Sequence, residues 1–301
     1  MERTVSVIIP TFNRAHFITK TLDSVLEQTY KKLEIIVVDD GSTDDTRRVL
    51  DQFANVGRII YIYQENQGLP AARNTGIRGS SGEYIAVLDD DDLWFPHTVE
   101  RMVKELEANP EYGMVYSDAI VVNEAGKPIS GNSRHAYPSG DIYEEVTLGR
   151  VICLMGAILF RRNSAFEVGL FDARLKSYED RDFTIRVAEK FKLKFIDEPL
   201  LMYRKHESSM TAMQKYKVQY TEMLYQKIFQ SRRFRDSSPR FQADLHSRYH
   251  IHLGKGYLGM AEYRLARRHF LKSLRYKPKR MAIYTLLAKA FIGKYMNASR
   301  R

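Results

Sequence analysis

Apolar residues come in short runs separated by amphipathic stretches, and the alternation persists over the first two hundred positions. Val5 to Ile9 reads as a buried strand, closed by Pro10-Thr11-Phe12-Asn13. Ile18, Leu22, Val25 and Leu26 recur at helical spacing and predict a helix over Ala15 to Gln28. Leu33 to Val38 predicts a second strand, ending in Asp39-Asp40-Gly41-Ser42. Ser42 or Thr43 can cap the next helix, with Asp44 and Asp45 in its first turn, where the dipole favours anions. Ile59 to Tyr63 predicts a third strand, Gly68 to Gly79 a short helix and Tyr84 to Leu88 a fourth strand. A helix near Pro96 to Asn109, a strand over Met114 to Val122 and a Gly/Pro/Ser-rich loop over Asn123 to Asp141 follow. Val151 to Phe160 reads as core, Ser177 to Lys190 as a helix and Leu193 to Asp197 as a strand. From about Thr211 onward the pattern is all-helical. Alternating strand and helix make a parallel sheet with helices on both faces the economical topology.

One stretch stands out against this pattern. Gly82 to Pro96 runs from a core strand into four carboxylates, Asp89, Asp90, Asp91 and Asp92, and then into Leu93-Trp94-Phe95. A solvated acidic turn is the plain reading of such a run alone. Its place at the carboxyl end of a strand in an α/β sheet favours a ligand instead. A hard divalent cation, held by one or two carboxylates and substrate phosphates, would neutralise the cluster.

Composition narrows the choices. The chain has 301 residues, 44% of them hydrophobic and 12% aromatic, enough for two domains or one with an appendage. The longest apolar run, Val151 to Phe160, is too short to span a bilayer, and Met1 to Pro10 enters a strand pattern with no signal peptide. The single Cys153 allows no intrachain disulfide and fits a reducing compartment. A cytoplasmic location is therefore expected, peripheral on the inner face of the membrane. The net charge of +10 hides a split. Residues 1–200 carry 24 Lys and Arg against 32 Asp and Glu, a balance of −8; residues 201–301 carry 23 against 5, a balance of +18. Such asymmetry marks a boundary and suits an anionic partner for the tail.

Several chemistries are excluded by absence of their motifs. No GxGxxG follows the first strand, no GxxxxGK[ST] occurs, and no Gly-x-Ser-x-Gly elbow is present. An α/β domain with carboxylates at its carboxyl edge remains, and by elimination a metal-diphosphate site.

Val5-Ser6-Val7-Ile8-Ile9-Pro10-Thr11-Phe12-Asn13, Leu33-Glu34-Ile35-Ile36-Val37-Val38-Asp39-Asp40-Gly41-Ser42 and Ala72-Arg73-Asn74-Thr75-Gly76-Ile77 resemble the family 2 inverting glycosyltransferases. So do Asp89-x-Asp91 and Glu179-Asp180. The match covers about residues 4 to 206. It implies the α/β GT-A fold, a Rossmann-like mixed sheet flanked by helices, with a catalytic domain at 1–208 and a basic helical extension at 209–301. It implies a nucleotide-diphosphate sugar, uridine-linked, as donor, and Mn²⁺ or Mg²⁺ as metal.

The resemblance also assigns roles. Pro10 and Phe12 lie at the nucleotide site, Phe12 against the base with a stacking face but no hydroxyl. Asp40 accepts from the base, with Asp39 supporting it. Arg73 faces the nucleotide or its diphosphate. Asp89 meets the ribose or donor sugar, Asp91 holds the metal, and Asp90 adds charge where the family often has Ser. Asp180, from the Glu-Asp pair, is the general base that takes the acceptor proton; as a plain structural residue it would be a helix-dipole partner. Tyr203-Arg204-Lys205-His206 resembles a further family motif, in which His206 would be a metal ligand or phosphate contact; a loop histidine without a role is the alternative.

In the tail, Leu253, Gly254, Tyr257, Ala266, Phe270 and Pro278 fall at the spacing of one tetratricopeptide-like repeat. A plain amphipathic helix pair fits as well. One repeat must pack on neighbouring helices, the catalytic domain or another subunit, the last of which would make a homo-oligomer through the tail. Arg264, Arg267, Arg268, Lys272, Arg275, Lys277, Lys279 and Arg280 make a basic surface. With no RNA-binding motif beside it, an anionic membrane is the expected partner and nucleic acid is not. The expected reaction is sugar transfer to a hydroxyl of a glycan or lipid-linked saccharide, in cell-surface polysaccharide synthesis. The competing readings are a non-catalytic scaffold presenting the basic tail, and a nucleotidyltransferase. The latter would want a Gly-rich, Lys/Arg-bearing loop after the first strand.

Overall fold

The computed structural model describes residues 3–129, 136–205 and 217–298. The chain divides into two compact units, Met1–Val146 with Val151–Glu207, and Ser208–Arg301 with Thr147–Arg150.

The first unit is built on one eight-stranded sheet. In chain order its elements begin β1 (Val5–Thr11), α1 (Ala15–Leu26), β2 (Leu33–Asp39), α2 (Thr46–Ala54), β3 (Ile60–Tyr63), α3 (Leu69–Gly79) and β4 (Tyr84–Val87). They continue with β5 (Leu93–Trp94), α4 (Thr98–Ala108), β6 (Tyr112–Val122), α5 (Tyr143–Thr147) and β7 (Ile158–Arg161). They close with α6 (Arg162–Glu167), α7 (Glu179–Lys190) and β8 (Lys192–Arg204). The spatial order is β3-β2-β1-β4-β7-β6-β8-β5.

Strands β1 to β4 pair in parallel, as the alternating pattern predicts. Beyond β4 the sheet is mixed, not all-parallel. β7 runs antiparallel to both β4 and β6, and β5 antiparallel to β8. An apolar run encodes burial but not direction, so only the family resemblance anticipated the mixed sheet. The Val151–Phe160 run, expected as core, is not buried throughout. Ile152 is exposed, Met155–Ala157 is a 3₁₀ turn, and only Ile158 onward enters the sheet.

The core follows from strands buried on both faces. Val5, Val7, Ile9, Val37, Ala86 and Leu88 are fully buried in one cluster with Ile18, Leu22 and Val25 of α1. α3 packs on the sheet through Gly76, where a Cβ would come within 2.4 Å of Ile8 Cγ2. Trp94 is buried and its indole N–H donates to the Gly156 carbonyl at 2.7 Å, tying β5 to the 3₁₀ turn.

Among the described residues from 217 onward the second unit is all-helical: α8 (Lys217–Gln230), α9 (Arg232–Arg235), α10 (Pro239–Gly259), α11 (Tyr263–Tyr276) and α12 (Met281–Ala298). Ser231 and Ser238 cap α9 and α10 by accepting from the N–H three residues on. α10 and α11 meet where Gly254 leaves room for Phe270, which a Cβ would approach to 2.4 Å. Ala266, Phe270, Ile283, Leu287 and Ala290 form its separate core. The residues that suggested a repeat thus fall on the α10–α11 contact and the turn after it.

Candidate active site

Three connections meet at the carboxyl edge of the parallel strands. Register pairs Thr11 with Asp39 and Ile8 with Val87, so the segments after β1, β2 and β4 leave the sheet side by side. The strand order reverses between β1 and β4, the crevice where open α/β sheets bind ligands.

The first two connections clasp each other. Asn13 adopts φ 55°, a left-handed conformation that Asn tolerates better than most residues. Its Oδ1 accepts from the N–H groups of Thr43 at 2.8 Å and Asp44 at 3.3 Å. Ser42 Oγ in turn accepts from the Asn13 N–H at 2.9 Å. Ser42 and Thr43 are therefore committed to this clasp and do not cap α2, which starts only at Thr46. Asp44 lies before the helix, accepting from the Thr46 N–H at 3.0 Å.

Phe12 leaves β1 with its ring exposed, whereas Pro10 is buried within the strand opposite Val38. Asp39 is fully buried and accepts from the Ser42 N–H at 2.8 Å and the Tyr61 hydroxyl at 2.9 Å. Asp40 accepts from Gln64 Nε2 at 2.6 Å and from the N–H groups of Gln67 at 2.9 Å and Gly68 at 2.8 Å. A carboxylate has about four acceptor sites, so three protein donors leave it about one more.

The third connection carries the acidic run, and burial sorts its members. Asp89 and Asp91 are half-buried, while Asp90 and Asp92 are buried. Burial, with the neighbouring Asp91 charge, pushes Asp90 up to about 7, against the Thr11 hydroxyl and Arg14. Burial and the charges of Asp89 and Asp91 drive Asp92 well above the usual carboxylate range.

Beneath the run lies a polar anchor that the sequence pattern did not reveal. The buried Thr21 hydroxyl reaches the carbonyls of Asp90 at 2.8 Å and Asp92 at 2.9 Å, and accepts from Arg204 Nη2 at 3.0 Å. Arg204 also donates through Nε to the Asp91 carbonyl and through its backbone N–H to Asp92 Oδ1 at 3.0 Å. Its guanidinium lies 5.1 Å from the Phe17 ring centroid. Only the Tyr-Arg-Lys-His motif hinted at Arg204; nothing singled out Thr21.

Arg73, on α3, is 2% exposed and bridges two acidic segments. It donates to Asp89 Oδ1 at 2.7 Å and to Glu179 Oε1 at 3.1 Å. Its guanidinium is engaged by the protein's own carboxylates. Burial opposes its charge, but Asp89, Glu179 and Asp180 together raise its pKa. Glu179 is pushed up to about 7, by burial first, with Arg73 opposing and Asp180 adding to the rise. Next to Arg73, Asn74 exchanges two hydrogen bonds with the Phe171 backbone, at 2.8 and 2.9 Å. α3 thereby fixes the approach to α7.

Asp180 sits half-buried in the first turn of α7 with Glu179 and Asp182, where the helix dipole favours carboxylates. Its Oδ1 accepts from the Arg181 N–H at 2.6 Å. Tyr178 precedes it at φ 65°, a left-handed conformation that costs a bulky residue about 1–2 kcal/mol. Asp182 faces inward and pairs with Arg186 at 2.7 Å.

Among the described residues no cluster of three or more His, Cys, Asp or Glu could hold a metal by itself. A hard divalent ion completed by substrate oxygens needs only one or two carboxylates, and half-buried Asp91, with Asp89 beside it, meets that requirement. His206 lies outside the described residues.

Comparison with known proteins agrees with this fold. Residues 6–170 match the model of glycosyl transferase family 2. An uncharacterized glycosyltransferase of Rickettsia felis is 34% identical over 203 residues, 66% of this chain and 33% of that one. The glycosyltransferase GlyA of Streptococcus pneumoniae is 42% identical over 118 residues, 38% of this chain and 17% of that one. This chain thus spans about a third or less of these relatives' length. Among solved structures, S. aureus TarS 1-349 in complex with UDP-GlcNAc aligns with TM-score 0.71 at 17% identity, covering 96% of this chain and 89% of that one. The mannosyltransferase PcManGT of Pyrobaculum calidifontis, with GDP-Man and Mn²⁺, aligns with TM-score 0.65 at 22% identity, covering 99% and 88%. At such identity the structures speak for the GT-A fold alone. The family model covers more than half of the chain, and the protein belongs to glycosyl transferase family 2.

Proposed function

We propose that the protein transfers a sugar, with inversion, from a uridine-diphosphate donor to a hydroxyl of a glycan or lipid-linked saccharide. The observation that carries this reading is Arg73, which brings the Asp89 and Glu179 segments together at the sheet's carboxyl edge. UDP-GlcNAc in TarS and GDP-Man in PcManGT support a nucleotide-diphosphate donor.

In this reading Phe12 stacks on the base and Asp40 uses its remaining acceptor site for the base N–H. Asp89, oriented by Arg73, meets the ribose or sugar. Asp91 would hold Mn²⁺ or Mg²⁺, which when bound neutralises charge developing on the departing diphosphate. Asp180 takes the proton of the acceptor hydroxyl as that oxygen attacks the anomeric carbon from the face opposite the diphosphate. Inversion follows from that single displacement.

A panel of nucleotide sugars, assayed for donor hydrolysis with Mn²⁺, tests the donor class. UDP binding measured by calorimetry tests the metal assignment. Affinity should rise at least tenfold when Mn²⁺ replaces chelator, and that gain should vanish in Asp91→Ala. Equal affinity in both conditions would remove Asp91 from the metal role.

A further inference from the structure

The last two helices of the second unit present an apolar row beside a basic row. At about 100° per residue, α12 has two apolar sides. Ile283, Leu287 and Ala290 face the core. On the solvent-facing side Met281, Tyr284, Ala288, Phe291 and Ile292 are all exposed, Met281 at 75% and Ile292 at 58%. On α11, Arg264, Arg268, Leu271 and Arg275 follow one another at i, i+4, i+7 and i+11, also exposed. The rows meet at a seam where the Arg267 guanidinium lies 4.8 Å from the Phe291 ring centroid. None of Arg264, Arg268 and Arg275 has an ion pair among the described residues.

We infer that this double row is a docking face for an anionic lipid surface, the apolar row of α12 entering the headgroup–acyl boundary while the arginines of α11 engage lipid phosphates. An apolar stripe with a flanking cationic stripe is what an interfacial helix needs. A nucleic acid would engage the basic row and leave Met281, Phe291 and Ile292 wet. A second copy would cover the apolar row, but it would add a second set of arginines in a segment with 23 basic and 5 acidic residues. Like charges at a contact oppose association. No described helix is long and apolar enough to cross a membrane, and this face requires none. The inference is independent of the donor chemistry.

Flotation of the full chain with phosphatidylcholine vesicles, and with vesicles that also contain phosphatidylglycerol, tests it. Binding to the anionic vesicles should exceed binding to the neutral ones at least tenfold. It should fall as salt approaches about 1 M, where the Debye length is about 3 Å. Arg264→Glu with Arg268→Glu, and separately Phe291→Ser with Ile292→Ser, should each reduce it at least tenfold. These positions are at the surface, and unchanged circular dichroism confirms that the variants fold. Ile292→Trp should show a blue-shifted emission only with anionic vesicles, against the constant signal of buried Trp94. Equal binding to both vesicle types, no binding at low salt, or wild-type binding by both double variants would overturn the inference. So would a sedimentation shift to dimers that Phe291→Ser with Ile292→Ser abolishes, since the face would then serve a second copy.

Discussion

Arg73 donates to Asp89 at 2.7 Å from a side chain that is itself only 2% exposed. Its other terminal nitrogen is held by Glu179, so one buried cation organises two carboxylates that are 90 residues apart in the chain. Breaking a buried pair leaves an uncompensated charge and typically costs about 3–5 kcal/mol. Arg73→Met should therefore lower the thermal midpoint by about 10 °C or more and weaken donor binding with it. Arg73→Lys keeps the charge but cannot span both carboxylates, and should fall between the two. A midpoint within a degree of wild type in Arg73→Met would show that the bridge contributes nothing to the fold.

The anchor under the acidic run gives a second expectation. Thr21→Val preserves shape and removes a hydroxyl that serves the carbonyls of Asp90 and Asp92 and one Arg204 nitrogen. Leaving buried groups without their partner costs about 1–3 kcal/mol. Denaturant unfolding should show a loss in that range, with the slope unchanged. UDP affinity in Mn²⁺ should fall as well, because the carboxylates are no longer held at one height. A stability loss without any change in UDP affinity would limit Thr21 to the fold.

What could be read beforehand, and what could not, divides along a physical line. The strands β1 to β4, α1 and α3 announce themselves because burial imposes a local periodicity on each. The direction of β7 and the exposure of Ile152 depend on which strands lie alongside, and no local pattern records that. Ser42 offered a helix cap, but Asn13, 29 residues earlier, claimed it through the tertiary clasp. Thr21 and Arg204 stand 183 residues apart, and each alone is an ordinary polar residue on an element. The acidic run was visible at once; which of its members are buried was not. The family resemblance placed Arg73 at the nucleotide, but its bridge to Asp89 and Glu179, 16 and 106 residues away, is recorded in no local pattern.

Acid should weaken the helical unit through His250. Its Nδ1 lies 3.1 Å from Nδ1 of His269, a spacing that one shared proton allows and two do not. Burial, with the charges of His269, Lys272 and His246, depresses His250 from 6.5 to about 4. The unfolded chain takes up its proton near 6.5 while the folded one resists until about 4, so the unfolded state binds more protons in between. The contribution is complete above about 6.5 and is lost as pH falls towards about 4. Helical melting followed by circular dichroism across that window should show a falling midpoint, and His250→Gln should flatten the slope. An unchanged slope in the variant would shift the acid sensitivity to other groups.

The last expectation concerns the base. Asp180 opens α7 between Glu179, which is bound to Arg73, and Asp182, which is paired with Arg186, so its neighbours are tied into structure while it stays half-buried at the helix N-terminus. A residue placed only to complement the helix dipole contributes about 0.3–1 kcal/mol at the surface. Replacement by Asn keeps the shape and much of the hydrogen bonding, so it would cost little if that were its whole task. As a proton acceptor it cannot be replaced by an amide, and loss of general-base catalysis typically costs about 10²–10⁴-fold. Asp180→Asn should therefore keep its thermal midpoint and its UDP affinity while kcat for transfer falls at least 10²-fold. Asp180→Glu, with the carboxylate moved by one methylene, should recover only part of that rate. The comparison separates the roles because stability and donor binding report the helix terminus, whereas only kcat reports the proton. Transfer by Asp180→Asn at near the wild-type rate would return the residue to the helix dipole and leave the acceptor proton to another group.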